Sequence, residues 1–278
     1  MMRGMFAAIS GLKTHQVMLD VTSNDIANVN TIGYKSARTT FADSLTQTQR
    51  GAAGPGGGVG GSNAAQIGLG VQLGSIDNLM TGGSLQSTGN PYDVAISQGP
   101  GMFRVAPSAA ATGTPTANPT AVEYTRAGNF TTNSAGYLVT QDGYYVQGRT
   151  AGGADSLINI PTGSSNVTIA QNGEVSYVDG TGTRQSAGFI SLATFSNAAG
   201  LQRSGSNRWL ASPNSGAPVV STPSATAGFT TAGTIEMSNV DLAQAFTSMI
   251  TAQRGFQANS RVISTADEML QDLVNLKR

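Results

Sequence analysis

Both ends of the chain carry apolar residues at alternating spacings of four and three, and the middle carries them in short alternating runs. From Met5 the series reads Met5, Ile9, Leu12, Gln16, Leu19, Ser23 and Ile26, with five of seven positions apolar. This predicts a helix of about 25 residues, roughly 38 Å long at 1.5 Å per residue. It ends near Asn28 to Asn30, where asparagines favour caps and turns over helix interior. At the other end the series Leu242, Phe246, Met249, Gln253, Phe256, Ser260, Ile263, Asp267, Leu270 and Val274 has seven of ten positions apolar and predicts one long helix over 239–278. Ser238 or Asn239 is its expected cap, Asp241 lies in its first turn, and Lys277 and Arg278 suit its C-terminal end. The polar exceptions Gln253, Ser260 and Asp267 recur seven apart, and Phe246, Ile250, Phe256, Val262, Met269 and Leu273 spread over more than one face. A helix that is apolar on several sides expects several neighbours.

From Gln66 onward the runs shorten to strands of four to eight residues, among them Tyr92 to Ile96, Met102 to Val105, Tyr144 to Gln147, Val175 to Val178 and Phe189 to Phe195. Asp142-Gly143, Asn172-Gly173 and Asp179-Gly180 are hairpin dipeptides between them, and 105–122 reads as an ornamented hairpin loop. The expected fold is therefore α+β, with N- and C-terminal helices pairing in a coiled-coil-like stalk around an all-β centre. Residues 1–30 with 239–278 form the helical part, 31–70 an extended linker with a Gly-rich insertion, and 71–238 the β domain.

Composition narrows the chemistry. Fifteen Lys plus Arg balance fifteen Asp plus Glu, and charged residues make up 11% of the 278, about half the usual globular share. Clustered positive charge of the kind that binds nucleic acid or anionic membranes is not seen. With no cysteine and one histidine, His15, no thiolate metal site, disulfide or cysteine nucleophile is possible, and His15 lacks a neighbouring orienting partner in sequence. Gly56, Gly58 and Gly61 match G-x-G-x-x-G inside a glycine run, but no strand precedes them and no helix follows, so the match carries no nucleotide signal. No catalytic, cofactor-binding or metal-binding residues are expected, and no enzyme. The first twenty-five residues interleave apolar and polar positions, so neither a cleaved signal peptide nor a membrane span is expected there.

Three separated stretches resemble the bacterial flagellar rod and hook proteins. The first is Ser23 to Lys35, with Asn24, Asn28, Gly33, Tyr34 and Lys35 in an Asn-rich, Gly-aromatic-Lys turn, although Asp25 stands where the family usually has a second Asn. The second is the β region, including Tyr92 to Phe103, Tyr124 to Phe130 and Gly136 to Tyr144. The third is Asn239-Val-Asp-Leu with Met249 to Ser260, which contains Gln253, Arg254 and Asn259, and Thr265 to Leu276. The resemblance implies a structural subunit exported through the flagellar type III apparatus, found outside the cytoplasm in the hook or basal body. It implies a homopolymeric helical tube with the terminal helices inward, transmitting torque beside other axial proteins such as the rod, hook cap and hook-filament junction. Val-Asn-Leu-Lys-Arg at the end, the Asn239 entry and Ala95-Ile-Ser-Gln look more like hook protein, and short hook proteins with an insertion such as Gln47 to Asn63 occur in Gram-positive bacteria. Hook subunit is the reading favoured by these features. The modest length and that same insertion also resemble distal-rod proteins, which is the alternative.

Overall fold

The computed structural model describes residues 2–54, 60–107 and 121–276. Gly56 and Gly58 of the glycine motif, most of the 105–122 loop, and Lys277 and Arg278 lie outside the described residues. The chain divides into two compact units, one of Met1–Ala27, Ala37–Asp77 and Asp241–Arg278, the other of Asn28–Ser36 and Asn78–Val240.

The first unit contains two long helices, α1 over Met2–Ala27 and α2 over Leu242–Asn275, and two antiparallel ribbons. Ala37–Asp43 pairs with Val71–Asn78, and Thr46–Arg50 pairs with Ala65–Gly68. These ribbons occupy much of the stretch read as linker. The cap of α2 is Asp241, whose Oδ1 accepts from Ala243 N at 2.8 Å and Gln244 N at 3.2 Å. Neither Ser238 nor Asn239 caps the helix, because Asn239 is held by other backbone groups and Ser238 Oγ accepts from Val240 N.

α1 and α2 pack on each other through a different stripe from the heptad series. The buried residues of α1 are Ala8, Gly11, Thr14, Thr22 and Asp25, and those of α2 are Ala252 and Ala266. A Cβ on Gly11 would come within 2.6 Å of the Asn259 amide, and a Cβ on Gly255 within 2.6 Å of the His15 ring. Small side chains at the crossing let the backbones approach, so the larger residues are pushed to the margins of the contact. The seam in α1 falls one residue from the expected one, about 100° around the helix.

The second unit is mostly antiparallel sheet, thirteen strands of it in one sheet among the described residues. Its central run passes from Arg184–Ile190 through Tyr145–Arg149 and Met102–Ala106 to Glu123–Thr125 and Arg208–Leu210. Val94, Phe103, Phe130, Leu138, Ile190 and Leu192 pack on one side of the body, with Phe103 and Phe130 edge to face at 5.1 Å. Met102, Tyr124, Phe195 and Trp209 make a second cluster, as alternation along Met102–Ala106 requires. Glycines 143 and 173 take positive φ at the expected hairpins, whereas beyond Asp179 it is Gly182 that does so.

Candidate functional site: the motif cluster and the helix surface

The Asn-rich turn after α1 folds into the second unit as part of a buried cluster. Gly33 has φ +68°, and a Cβ there would sit 2.5 Å from Ala127 N. Only glycine satisfies both the left-handed backbone and that approach. Its N–H donates to Glu236 O at 2.8 Å. The Arg203 guanidinium lies 5.1 Å from both the Tyr34 and the Trp209 ring centroids. It donates to Lys35 O at 2.6 Å, to Asn78 Oδ1 at 3.1 Å and to Tyr34 Oη at 3.3 Å.

Below this turn, Lys35 Nζ donates to Glu236 Oε1 at 2.5 Å and to Thr81 O at 2.7 Å. Arg126 Nη1 reaches Glu236 Oε2 at 3.0 Å, and Gly83 N reaches Oε1 at 3.0 Å. The Lys35 and Glu236 side chains are 0% and 1% exposed. Two cations therefore share one carboxylate out of water. Burial pushes the Glu236 carboxyl up, but Arg126 and then Lys35 outweigh it and hold it below the usual carboxylate range. For Lys35 burial wins over the attraction of Glu236, and its ammonium is held below the ordinary lysine value. Next along the chain, Asn239 Oδ1 accepts from Ser36 N at 2.8 Å while its Nδ2 donates to Leu79 O and Thr81 O. The segments that follow α1 and precede α2 are thus stitched to each other and to the 79–83 turn.

Among the family-motif residues, Gly33, Tyr34 and Lys35 meet in this cluster. Asn28 is half-buried and shares the turn, and Asn24 lies on α1. Asn259 is on the α1 side of α2, facing Gly11, whereas Gln253 and Arg254 are exposed. Of the heptad residues, Met5, Ile9, Leu12, Leu19, Ile26, Met249, Phe256, Ile263 and Leu270 are half-buried. Leu242, Phe246 and Val274 are exposed, as are Ile250, Val262 and Met269. Arg126, Arg203, Glu236 and Thr81 escaped the sequence reading, since Lys35 and Glu236 are 201 positions apart and no local pattern joins them.

Other chemistry finds little footing. A cleft of about 330 Å³ in the second unit is lined by Thr31, Asn129, Asp142 and Arg208 among others. Its carboxylate, Asp142, is paired with Arg208 Nη1 at 2.7 Å. His15 is in the other unit, stacked edge-on to Phe41 at 5.8 Å. No group of three or more His, Asp or Glu that could hold a metal ion occurs among the described residues, and no helix among them is long and apolar enough to cross a membrane.

Comparison with known proteins matches three family models along the chain. Residues 5–35 match "Flagella basal body rod protein", 96–177 match "Flagellar hook protein FlgE/F/G D1 domain", and 231–276 match "Flagellar basal body rod FlgEFG protein C-terminal". The flagellar basal-body rod protein FlgG of Bacillus subtilis is 46% identical over 280 residues, covering 100% of both chains. FlgG of Agrobacterium fabrum is 41% identical over 272 residues, covering 96% of this chain and 97% of its own. The flagellar hook protein FlgE of Borreliella burgdorferi is 27% identical, over an alignment of 454 positions. The preference for hook drawn from the terminal motifs is thus corrected toward the rod alternative. The models matching 96–177 and 231–276 are named for rod and hook proteins alike, so those regions do not separate the two, while the hook alignment runs far beyond the 278 residues present here.

Proposed function

Since this chain belongs to the flagellar basal-body rod and hook family and is a structural, non-enzymatic protein of the flagellum, we propose that it is a subunit of the distal rod. The end-to-end identity of 46% with a rod protein of matching length carries that reading. In it, copies of the chain polymerise into a straight helical tube, with α1 and α2 supplying contacts between copies. The exposed apolar residues of α2, Phe246 and Ile250 at 50% and 52% exposure among them, favour such contacts, since burial in neighbours stabilises by about 25 cal/mol per Å². The tube would continue into other axial proteins on either side, after export through the type III apparatus.

Electron microscopy of isolated hook–basal bodies, with the chain carrying an epitope tag in an exposed hairpin, tests the assignment. Label along the short straight segment next to the basal body is expected. Label along the curved hook would overturn it. For assembly itself, removing Leu270 to Arg278 should leave a folded second unit in a chain that no longer polymerises, and polymers of normal length from that truncation would refute the role of α2.

A further inference from the structure

The cleft of about 330 Å³ in the second unit has walls that the chain ties firmly and a lining that it leaves largely unused. One wall is the tip of the hairpin joining Gln202–Gly205 to Arg208–Leu210, where Ser206 and Asn207 both take left-handed φ, +47° and +56°. A serine stays in that region only where its surroundings hold it there. Here Asn207 Nδ2 donates to Ile32 O at 3.0 Å, and Asn207 O accepts from Thr125 Oγ1 at 2.9 Å. The tip is thereby tied both to the turn after α1 and to the strand Glu123–Thr125. Another wall is the 140–143 turn, held by Arg208 Nη1 on Asp142 Oδ2 at 2.7 Å and by Tyr144 N on Thr140 Oγ1 at 3.1 Å.

The lining narrows what such a cleft can hold. Among the described residues Asp142 and Arg208 are its only charged members, and they pair with each other. Neither a cation nor an anion therefore meets an unpaired opposite charge. Ile32 and Ala127 are its only apolar members, too few for a hydrophobic ligand. What remains is neutral and polar. The side chains of Asn30, Asn129, Gln141 and Ser206 line the cleft without a hydrogen-bond partner among the described residues. Each carboxamide offers donors and an acceptor together, and the hydroxyl does the same. The volume lies at the lower end of the range for small-ligand sites, about 300–1,000 Å³.

We propose that this cleft binds a short glycan bearing acetamido groups. Sugar hydroxyls donate and accept at once, as carboxamides do, so Asn30, Asn129 and Gln141 can meet a neutral ring without any charge being stripped of its partner. An acetamido group adds one N–H, one C=O and a methyl, which matches a lining of free amides around two aliphatic side chains, Ile32 and Ala127. An extended peptide fits less well, because it pairs through a row of free backbone groups. At the tip and the turn those groups are engaged, since Ile32 O and Asn207 O already accept side-chain donors. The ties between the walls also mean that binding orders little of the chain, which favours affinity for a small ligand.

The test titrates the full chain, labelled with nitrogen-15, with the tetramer of N-acetylglucosamine and separately with cellotetraose, which has the same linkage and no acetamido groups. The first is expected to shift the side-chain amide signals of Asn129 and Gln141 saturably, with a Kd below about 1 mM, and cellotetraose to bind at least about tenfold more weakly. Asn129→Ala with Gln141→Ala should weaken binding of the acetamido tetramer by about tenfold or more, with circular dichroism unchanged. Gln141 is exposed, so Gln141→Ala alone, expected to weaken binding about threefold or more, keeps the test sound if the pair disturbs the fold. Absence of saturable shifts, equal binding of cellotetraose, or binding that Gln141→Ala leaves untouched overturns the proposal. Shifts of the same signals with a neutral Gly-Ser peptide but not with the acetamido tetramer assign the cleft to an extended chain and overturn it as well.

Discussion

Replacing Glu236 with Gln keeps the shape of the side chain and removes the one negative charge that faces both Lys35 and Arg126. Their side chains are 0% and 3% exposed, so two cations would be left buried without a counter-charge. Breaking a buried pair by removing one partner costs about 3–5 kcal/mol, a large part of a typical domain stability of about 5–15 kcal/mol. For a unit of this size that corresponds to a fall in Tm of about 6–20 °C. Lys35→Met is expected to cost less, about 1–3 kcal/mol, because Arg126 and Glu236 remain as a neutral pair and the main loss is the bond to Thr81 O. Trp209, the only tryptophan, is buried in the same unit, and its fluorescence during denaturant unfolding reports this transition. The pH dependence follows from the two shifts. Glu236 is held below its ordinary value of 4.5, so its stabilisation is present above that pH and is lost as pH falls through the lower folded-state value. Acid unfolding of the unaltered protein should steepen below about pH 4.5, and Glu236→Gln should lack that limb. Lys35 is held below its ordinary 10.5, so the unfolded chain binds more protons as pH rises toward 10.5, and stability climbs over that window except in Lys35→Met. A loss below about 1 kcal/mol for Glu236→Gln, or a larger loss for Lys35→Met, would show that water reaches the cluster and refute the argument.

Three further substitutions test the local reasoning. Gly255→Ala gains about 1 kcal/mol of helix propensity but crowds the His15 ring at a cost of about 1–3 kcal/mol. A net loss in thermal melting followed by circular dichroism is expected, shrinking when His15→Ala is added; additive losses would mean the ring is not the obstacle. Gly33→Ala meets backbone of Ala127 and Arg126 that cannot rotate aside, and should cost at least about 2 kcal/mol in Trp209-monitored unfolding. Asp241→Ala removes the acceptor for two N–H groups of α2 and should lower stability by about 1 kcal/mol, restored largely by Asn.

The two terminal helices are legible in the sequence because an apolar period near 3.5 sustained over many turns fits a helix and neither a strand nor a loop. Their contact escapes a heptad count for a physical reason. Counting heptads rewards large apolar residues, yet the closest approach uses Ala8, Gly11, Ala252 and Ala266, which weigh little in such a search. Leu242, Phe246 and Val274 fit the heptad and stand exposed. In the β region the apolar runs mark most central strands, but strands rich in Thr, Ser and Gly, such as Phe229–Ala232 and Gln202–Gly205, carry little alternation to detect. The motif cluster is half legible. Gly33, Tyr34 and Lys35 stand out as a turn, and a lysine after a helix end is ordinarily solvated. What makes Lys35 different is Glu236, and long-range electrostatic pairing leaves no periodic trace in a chain. The charge of Lys35 becomes informative only when its partner, Glu236, is located inside the fold.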